Sequence, residues 1–271
     1  MLTTKQKIIL ILLILIICFS YLCFLKTEQF TSTNKLSSLK VSLCIPCIPR
    51  DKEKLLRLME SVSNQTLKPM DVVISLSGEK YTNDSFKNKL EKIATVPVKI
   101  IYSNDEKNAS ENRNIASKNA YGDIISYIDA DDIMNKNRIE RIVEIFKEYD
   151  SNAVLHSFES TLDINSISKY DKRIYKGKYM YKLSKEAKTP FLHIHNENTI
   201  HHGHISIKKN VFNNIQFNTS QEYKRGQDSK FVRDIIDFYG NNDKTVIFTN
   251  EKLSYYIPAK YQTNKTTTNT T

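Results

Sequence analysis

Tryptophan is absent from this 271-residue chain, glycine and proline occur only six times each, and there are four cysteines. So little glycine and proline excludes collagen-like and glycine-rich architectures. Four cysteines are too few for a disulfide-built scaffold. Acidic residues are outnumbered, with 30 Asp and Glu against 40 Lys and Arg, a formal net charge of +10. That balance suits an anionic partner such as a phosphate ester, an acidic glycan or a membrane surface, without choosing among them. The lysines are spread evenly and no aromatic–basic motif accompanies them, so no nucleic-acid partner is expected. What is present is material for one good core. A content of 40% hydrophobic and 26% charged residues excludes wholesale disorder, and the length fits one ordinary domain with attachments.

Long uncharged runs are also scarce, and the 18 residues at 8–25 form the one that matters, flanked by Lys5, Lys7 and Lys26. As a helix this run reaches about 27 Å, enough to span a bilayer core. It exceeds the apolar stretch of a cleavable signal peptide, and no small-residue cleavage site follows, so an uncleaved single-pass signal anchor is expected. The expected division is a short tail at 1–7, the transmembrane anchor at 8–25, a Ser/Thr-rich stem at 26–39, a folded domain at 40–258 and an unstructured Thr/Asn-rich tail at 259–271. The folded domain is expected outside the cytosol, in an ER/Golgi-like or host membrane, although Lys35 and Lys40 blunt the charge asymmetry that sets orientation.

Between the tails, strand and helix patterns alternate. VSLCIP at 41–46, DVVISLS at 71–77, VKIIY at 98–102 and DIISYID at 123–129 read as buried strands. Leu55, Leu58, Met59 and Val62 recur at helical spacing, a polar helix is expected over 84–94, and another over 109–120 opens on Asn108 and Glu111, placed as a capping box. Ile139, Ile142, Val143 and Phe146 give an apolar face to a helix entered at Asn135. Four β-α units in series predict an α/β domain with an open, mostly parallel central sheet flanked by helices. The second half is less regular. It reads as a loop-rich stretch at 159–199, a strand near 200–208, a helix over 227–239 and strands near 245–249 and 253–257.

YIDADD at 127–132 sets Asp129, Asp131 and Asp132 where a buried strand runs out at the carboxyl edge of the sheet, the edge at which open α/β sheets bind ligands. Three carboxylates within four residues repel one another unless a cation sits among them. Oxygen-only ligands suit Mg2+ or Mn2+ bridging a diphosphate. The bland reading is a turn leading into a helix N-terminus. An EF-hand loop is excluded because Ile133 and Met134 stand where an oxygen ligand and a glycine are required. A haloacid-dehalogenase-like phosphatase with Asp129 as nucleophile remains open at this point.

The segment before the carboxylates, KNASENRNIASKNAYGDIISYIDADD at 107–132, resembles the signature of the family 2 glycosyltransferases, enzymes with the Rossmann-like GT-A nucleotide-sugar fold. Asn108, Arg113, Asn114, Gly122, Asp129, Asp131 and Asp132 take the places of that signature. The opening stretch 41–75 is similar to the family's first unit, with Ser61, Gln65 and Thr66 in its S-x-x-x-Q-T piece. The resemblance implies a catalytic domain that moves a sugar, with inversion, from a nucleotide-diphosphate donor (a UDP-sugar favoured) to a hydroxyl of a glycan, protein or lipid acceptor. It implies Pro46, Arg50, Ser75 and Arg113 at the nucleotide or diphosphate, and a divalent cation, Mn2+ or Mg2+, at Asp129, Asp131 and Asp132. In RGQDSKFVRDI at 225–235 it implies Asp228 as general base, with Gln227 in place of the usual Glu and with Glu222 and Asp234 as fallbacks. His202, Gly203 and His204 then border the acceptor.

Several residues depart from the family pattern. Ser75-Leu76-Ser77-Gly78 stands where relatives carry an acidic residue, Pro46-Cys47-Ile48-Pro49-Arg50 replaces the commoner first loop, and no His follows Asp228. These departures keep a catalytically silent, glycan- or partner-binding GT-A domain in view. Five of the six histidines fall at 193–204 (His193, His195, His201, His202 and His204), either as a second metal site, with His-x-His sharing a strand face, or as rings that only hydrogen-bond. Cys44-Ile45-Pro46-Cys47 has the spacing of a redox pair but no other landmark of that chemistry.

Overall fold

The computed structural model describes residues 17, 19–21, 39–79, 84–160, 172–189, 191–194, 200–220 and 226–257. The chain divides into two compact units, Met1–Leu39 and Lys40–Thr271. In the first, Ile17, Phe19, Ser20 and Tyr21 are helical. The rest of the expected anchor at 8–25, the tail at 1–7, the stem up to residue 38 and the tail at 259–271 lie outside the described residues. Among the described residues no helix is long and apolar enough to cross a membrane.

The second unit opens with the expected alternation: β1 (Val41–Cys47), α1 (Lys52–Ser63), β2 (Asp71–Ser77), α2 (Asp84–Ile93), β3 (Val98–Ser103), α3 (Ala109–Lys118) and β4 (Ile124–Tyr127). It continues through β5 (Ile133–Met134), α4 (Arg138–Tyr149), β6 (Ala153–Ser160), β7 (Ile174–Tyr175), α5 (Gly177–Glu186), β8 (Ser206–Lys208), α6 (Lys209–Asn214), α7 (Gln227–Tyr239) and β9 (Val246–Tyr256). Among the described residues the strands form one sheet in the order β3-β2-β1-β4-β8-β6-β9-β5, with β7 paired to β9. Pairing is parallel from β3 to β4. Beyond β4 the sheet is mixed: β8 is antiparallel to both β4 and β6, β6 is parallel to β9, and β5 and β7 are antiparallel to β9.

Burial explains the strand patterns. β1 and β2 are covered on both faces, so nearly every side chain is buried and the sequence shows a continuous apolar run instead of alternation. In α1, Leu55, Leu58, Met59 and Val62 are all fully buried, the stripe that helical spacing predicts. α3 has the expected capping box: Asn108 Oδ1 accepts from the Glu111 amide and Glu111 Oε2 accepts from the Asn108 amide, both at 2.9 Å.

The second half corrects the sequence reading in three places. The stretch at 159–199 contains α5, which packs Met180 fully and Tyr181 and Leu183 in part against the core. The strand expected near 200–208 is confined to Ser206–Lys208, because a 3-10 turn occupies His202–His204. The two strands near 245–257 are one strand, β9, whose register against β6 slips between His156 and Phe158.

Gly122 marks a close approach of two chain segments. A Cβ there would lie 2.5 Å from the Ser42 backbone nitrogen and 2.8 Å from the Lys40 carbonyl oxygen. Ser42 Oγ accepts from the Gly122 amide at 2.8 Å, seating the turn before β4 against the start of β1. Gly122→Ala is therefore expected to destabilise the folded domain by about 2 kcal/mol, the range of over-packing in a region that cannot yield. A urea unfolding midpoint unchanged from wild type would contradict it.

Candidate active site

The strand order reverses at β1, with β2 and β3 on one side and β4 on the other, so a crevice opens at the carboxyl ends of β1 and β4. Asp129 follows β4 directly into it. The antiparallel β8 begins where β4 ends, and the Tyr127 amide donates to the Ile205 carbonyl at 3.0 Å. Residues just before β8 therefore land beside residues just after β4, which carries His201–His204 to the Asp cluster.

The buried Arg113 and the half-buried Asp129 form an ion pair, with Arg113 Nη2 2.5 Å from Asp129 Oδ1. The guanidinium lies over the Phe217 ring at 5.4 Å, and its Nε is buried without a hydrogen-bond partner among the described residues. Burial works against the Arg113 cation, but Asp129 and Asp228 outweigh it and hold the group protonated. Burial pushes the Asp129 carboxyl up; Arg113 and His201 oppose the rise, and Asp132 and Asp228 add to it. Since 31% of its side chain still reaches solvent, the rise is tempered.

Asp228 stands in the first turn of α7, and its Oδ1 accepts from the Ser229 amide at 2.8 Å. Its place in the chain is fixed by its neighbour: Gln227 is buried, and its Oε1 accepts from both Ser110 Oγ (2.8 Å) and the Ser110 amide (3.2 Å) in α3. Gln227 thus uses its carbonyl where a Glu would use a carboxylate. Gly203 shows how the groups converge. A Cβ added there would lie 3.2 Å from Arg113 Nη2, 3.2 Å from Asp129 Oδ2 and 3.5 Å from Asp228 Oδ2. Of the fallback bases, Asp234 is paired with Lys230 at 2.5 Å, and Glu222 lies outside the described residues.

Asp132 behaves differently from its two neighbours. It is buried, its Oδ2 lies 2.9 Å from His204 Nε2 and 3.6 Å from His201 Nε2, and its Oδ1 accepts from the Ile257 amide at 3.2 Å. Asp131 is half-buried, and Arg57 Nη2 donates to its backbone carbonyl at 3.2 Å. Tyr256, from β9, completes this side. Burial raises its phenol, and Asp132, Asp131 and Asp129 raise it further. Nothing in the sequence pattern singles out Tyr256, because only the β9 pairing brings it there.

Of the residues that the resemblance sets at a nucleotide, Pro46 is half-buried at the end of β1, and Arg50 is exposed in the 3-10 turn Pro49–Asp51. Ser75 is buried and its hydroxyl donates to Asn112 Oδ1 at 2.8 Å, so it braces α3 instead of facing the crevice. Glu79, bound twice to Lys52 at 2.7 and 2.8 Å, supplies a carboxylate two residues past the end of β2, directly after the Ser75–Gly78 stretch that lacks one. Ser61, Gln65 and Thr66 brace the loop behind the Asp cluster. Ser61 Oγ accepts from the Met134 amide, Gln65 bonds Asn135 O and the Ile139 amide, and the Thr66 amide donates to Lys136 O. Cys44 and Cys47 are buried free thiols whose ionisation burial pushes far up, which removes the redox reading.

The fold agrees with the comparison to known proteins. Residues 42–215 match the model of Glycosyl transferase family 2. The chain belongs to that family. An uncharacterized glycosyltransferase of Nostoc sp., alr2836, is 28% identical over 106 residues, 39% of this chain and 32% of that relative. Among solved structures, S. aureus TarS 1–349 superposes with a TM-score of 0.55 at 17% identity, covering 80% of this chain and 60% of that one. The mannosyltransferase PcManGT from Pyrobaculum calidifontis, solved with GDP-Man and Mn2+, gives 0.55 at 15% identity, covering 80% and 56%. These likenesses give this family 2 member a GT-A-like α/β fold. The chain spans less than two thirds of the length of each. Family membership replaces the phosphatase alternative.

Three histidines of this glycosyltransferase-family site are buried and held neutral, and His202 is pushed down to about 4, by burial first, against the pull of Asp228. An unfolded histidine takes its proton near the ordinary 6.5, so below that pH the unfolded chain binds more protons and stability falls as the pH falls. His202→Asn should flatten the dependence of unfolding free energy on pH between 6.5 and 4, by up to about 1.4 kcal/mol per pH unit. Urea unfolding in chelator-treated buffer measures it, and an unchanged slope would count against the buried neutral ring.

Proposed function

We propose that the chain transfers a sugar from a nucleoside diphosphate sugar to an acceptor hydroxyl, with inversion at the anomeric carbon. The observation that carries this reading is the space beside Gly203, bounded by Asp129 Oδ2, Asp228 Oδ2 and the Arg113 guanidinium. In it, a carboxylate aimed at an incoming hydroxyl faces the carboxylate edge where a diphosphate is held.

Asp228 is the general base. Its Oδ1 is engaged by the Ser229 amide in the first turn of α7, and Oδ2 is directed to the site to take the acceptor proton. Arg113 acts through Asp129: it holds Oδ1 and leaves Oδ2 on the crevice, so it is a positioning residue. Asp131 and Asp129 are an oxygen-only, partly open set that fits Mg2+ or Mn2+ together with the donor's phosphates and water. A cation bound there neutralises charge developing on the departing nucleoside diphosphate. Asp132, buried and turned to His204, is not in this set. A UDP-sugar is the first donor to test. TarS has been solved with UDP-GlcNAc and PcManGT with GDP-Man, so guanosine donors belong in the same panel. The acceptor is a hydroxyl of a glycan, protein or lipid. We propose also that residues 8–25 anchor the chain in a membrane with the domain outside the cytosol, a reading that rests on the apolar run alone.

The test is nucleotide release by the purified full chain from UDP- and GDP-sugars, with Mn2+, Mg2+ or EDTA and a panel of acceptors. One donor should give metal-dependent release. Asp228→Asn should lower kcat about 10²–10⁴-fold with the donor KM nearly unchanged. Asp131→Asn should abolish the response to added metal. Calorimetric donor binding with no turnover would leave a silent binding domain, and no binding of any nucleotide sugar would overturn the proposal.

A further inference from the structure

The 3-10 turn before β8 has a consequence that the transfer reaction does not use. In a 3-10 helix, residues three apart eclipse. His201, which caps the turn, and His204, which ends it, accordingly stack with ring centroids 3.5 Å apart and planes 11° from parallel. Both present Nε2 to the same Asp132 oxygen, at 3.6 and 2.9 Å, and the three ligand atoms all lie within 4.8 Å of one another. The sequence pairs His202 with His204, two apart on a strand; the turn pairs His201 with His204 and sends His202 elsewhere, to accept from the Leu192 amide at 3.2 Å.

We propose that Asp132, His201 and His204 form a site for a transition-metal dication, zinc by preference, separate from the Asp129–Asp131 set. The observed spacings straddle the about 3.3 Å that separates ligand atoms held about 2.0–2.1 Å from a tetrahedral ion. Two imidazoles and one carboxylate suit zinc and disfavour Mg2+, which takes oxygen. The outer shell is in place. His204 Nδ1 is 2.8 Å from the buried Ser254 Oγ, which fixes the ring with Nε2 toward Asp132, and Asp132 Oδ1 is held by the Ile257 amide. Arg138 is buried close by, but its hydrogen bonds go to Tyr127 O, His204 O and His156 Nε2 and not to Asp132. The metal would bolt the segment after β4 to the segment before β8, and so hold Gly203 in place. None of this depends on sugar transfer.

The probe is zinc itself. The full chain, stripped with EDTA and titrated with Zn2+ against a chromophoric chelator, should bind one equivalent, and Co2+ in its place should give the intense visible band of a four-coordinate site. His201→Ala and His204→Ala should each weaken binding by about 100-fold or more and Ser254→Ala by about 10-fold, while Asp131→Asn stays within about 2-fold. His201 is largely buried against His204 and Phe158, so each variant is read against its own metal-free unfolding midpoint, and a cooperative metal-free urea transition separates loss of metal from loss of fold. Zinc also should raise the melting temperature of wild type and not of His201→Ala. Failure to bind one equivalent, equal binding by wild type and the histidine variants, or loss of zinc in Asp131→Asn would each overturn the proposal.

Discussion

The pair between the buried Arg113 and the half-buried Asp129 is the constraint around which the site is arranged. Taking the guanidinium out of water is unfavourable unless geometry and further hydrogen bonds compensate, and removing Asp129 would leave a buried charge that costs about 3–5 kcal/mol. The fold meets that requirement by making α3 a helix buried through polar side chains. Ser110 reaches Gln227, Arg113 reaches Asp129, Asn114 exchanges two hydrogen bonds with the Phe217 backbone, and Ser117 meets the Tyr127 hydroxyl. These bonds tie α3 to three segments: the start of α7, the end of β4, met by both Arg113 and Ser117, and the stretch around Phe217. A network of this kind specifies one arrangement because a half-satisfied version is worse than none.

Topology supplies the rest. Parallel strands bring carboxyl ends to one edge, which is how β1 and β4 frame the crevice. An antiparallel strand beside β4 does something a parallel one could not: it delivers its own leading residues to that edge. β8 is three residues long, and its importance lies in this direction of travel. Phe217 shows the same economy, since its ring stacks on Phe231 at 3.8 Å, meets Tyr127 edge-on at 5.1 Å and supports the Arg113 cation from below.

Where periodicity and local chemistry coincide, the sequence is legible. β2 and α7 fall where their patterns predict, and the capping box at Asn108–Glu111 forms. Asp129, Arg113, Asp228 and Gly203 converge, as the motif resemblance implies. Legibility fails where a residue's role depends on a partner far along the chain. Ser75 looks like a nucleotide contact until Asn112 takes its hydroxyl. His202 and His204 look like one face of a strand until the turn changes the spacing from two to three. Tyr256 and Glu79 carry no local mark at all. α5 escapes for a different reason: its apolar side, Met180 with the partly buried Tyr181 and Leu183, is short and set among lysines.

Three carboxylates in four residues pose an electrostatic problem, and the fold solves it by giving each a separate environment. Asp129 is answered by Arg113 from α3. Asp132 turns inward to His204 and the Ile257 amide, so its charge is met by dipoles and an imidazole rather than by water. Asp131 stays at the edge of the crevice, its backbone pinned by Arg57 while its side chain keeps access to solvent. An arrangement that answered all three with arginines would be more stable and would leave no negative edge for a cation and a diphosphate to occupy. Burial raises the Asp129 carboxyl and the Tyr256 phenol, the neighbouring carboxylates add to both, and that like-charge contribution is what folding leaves for a ligand to relieve.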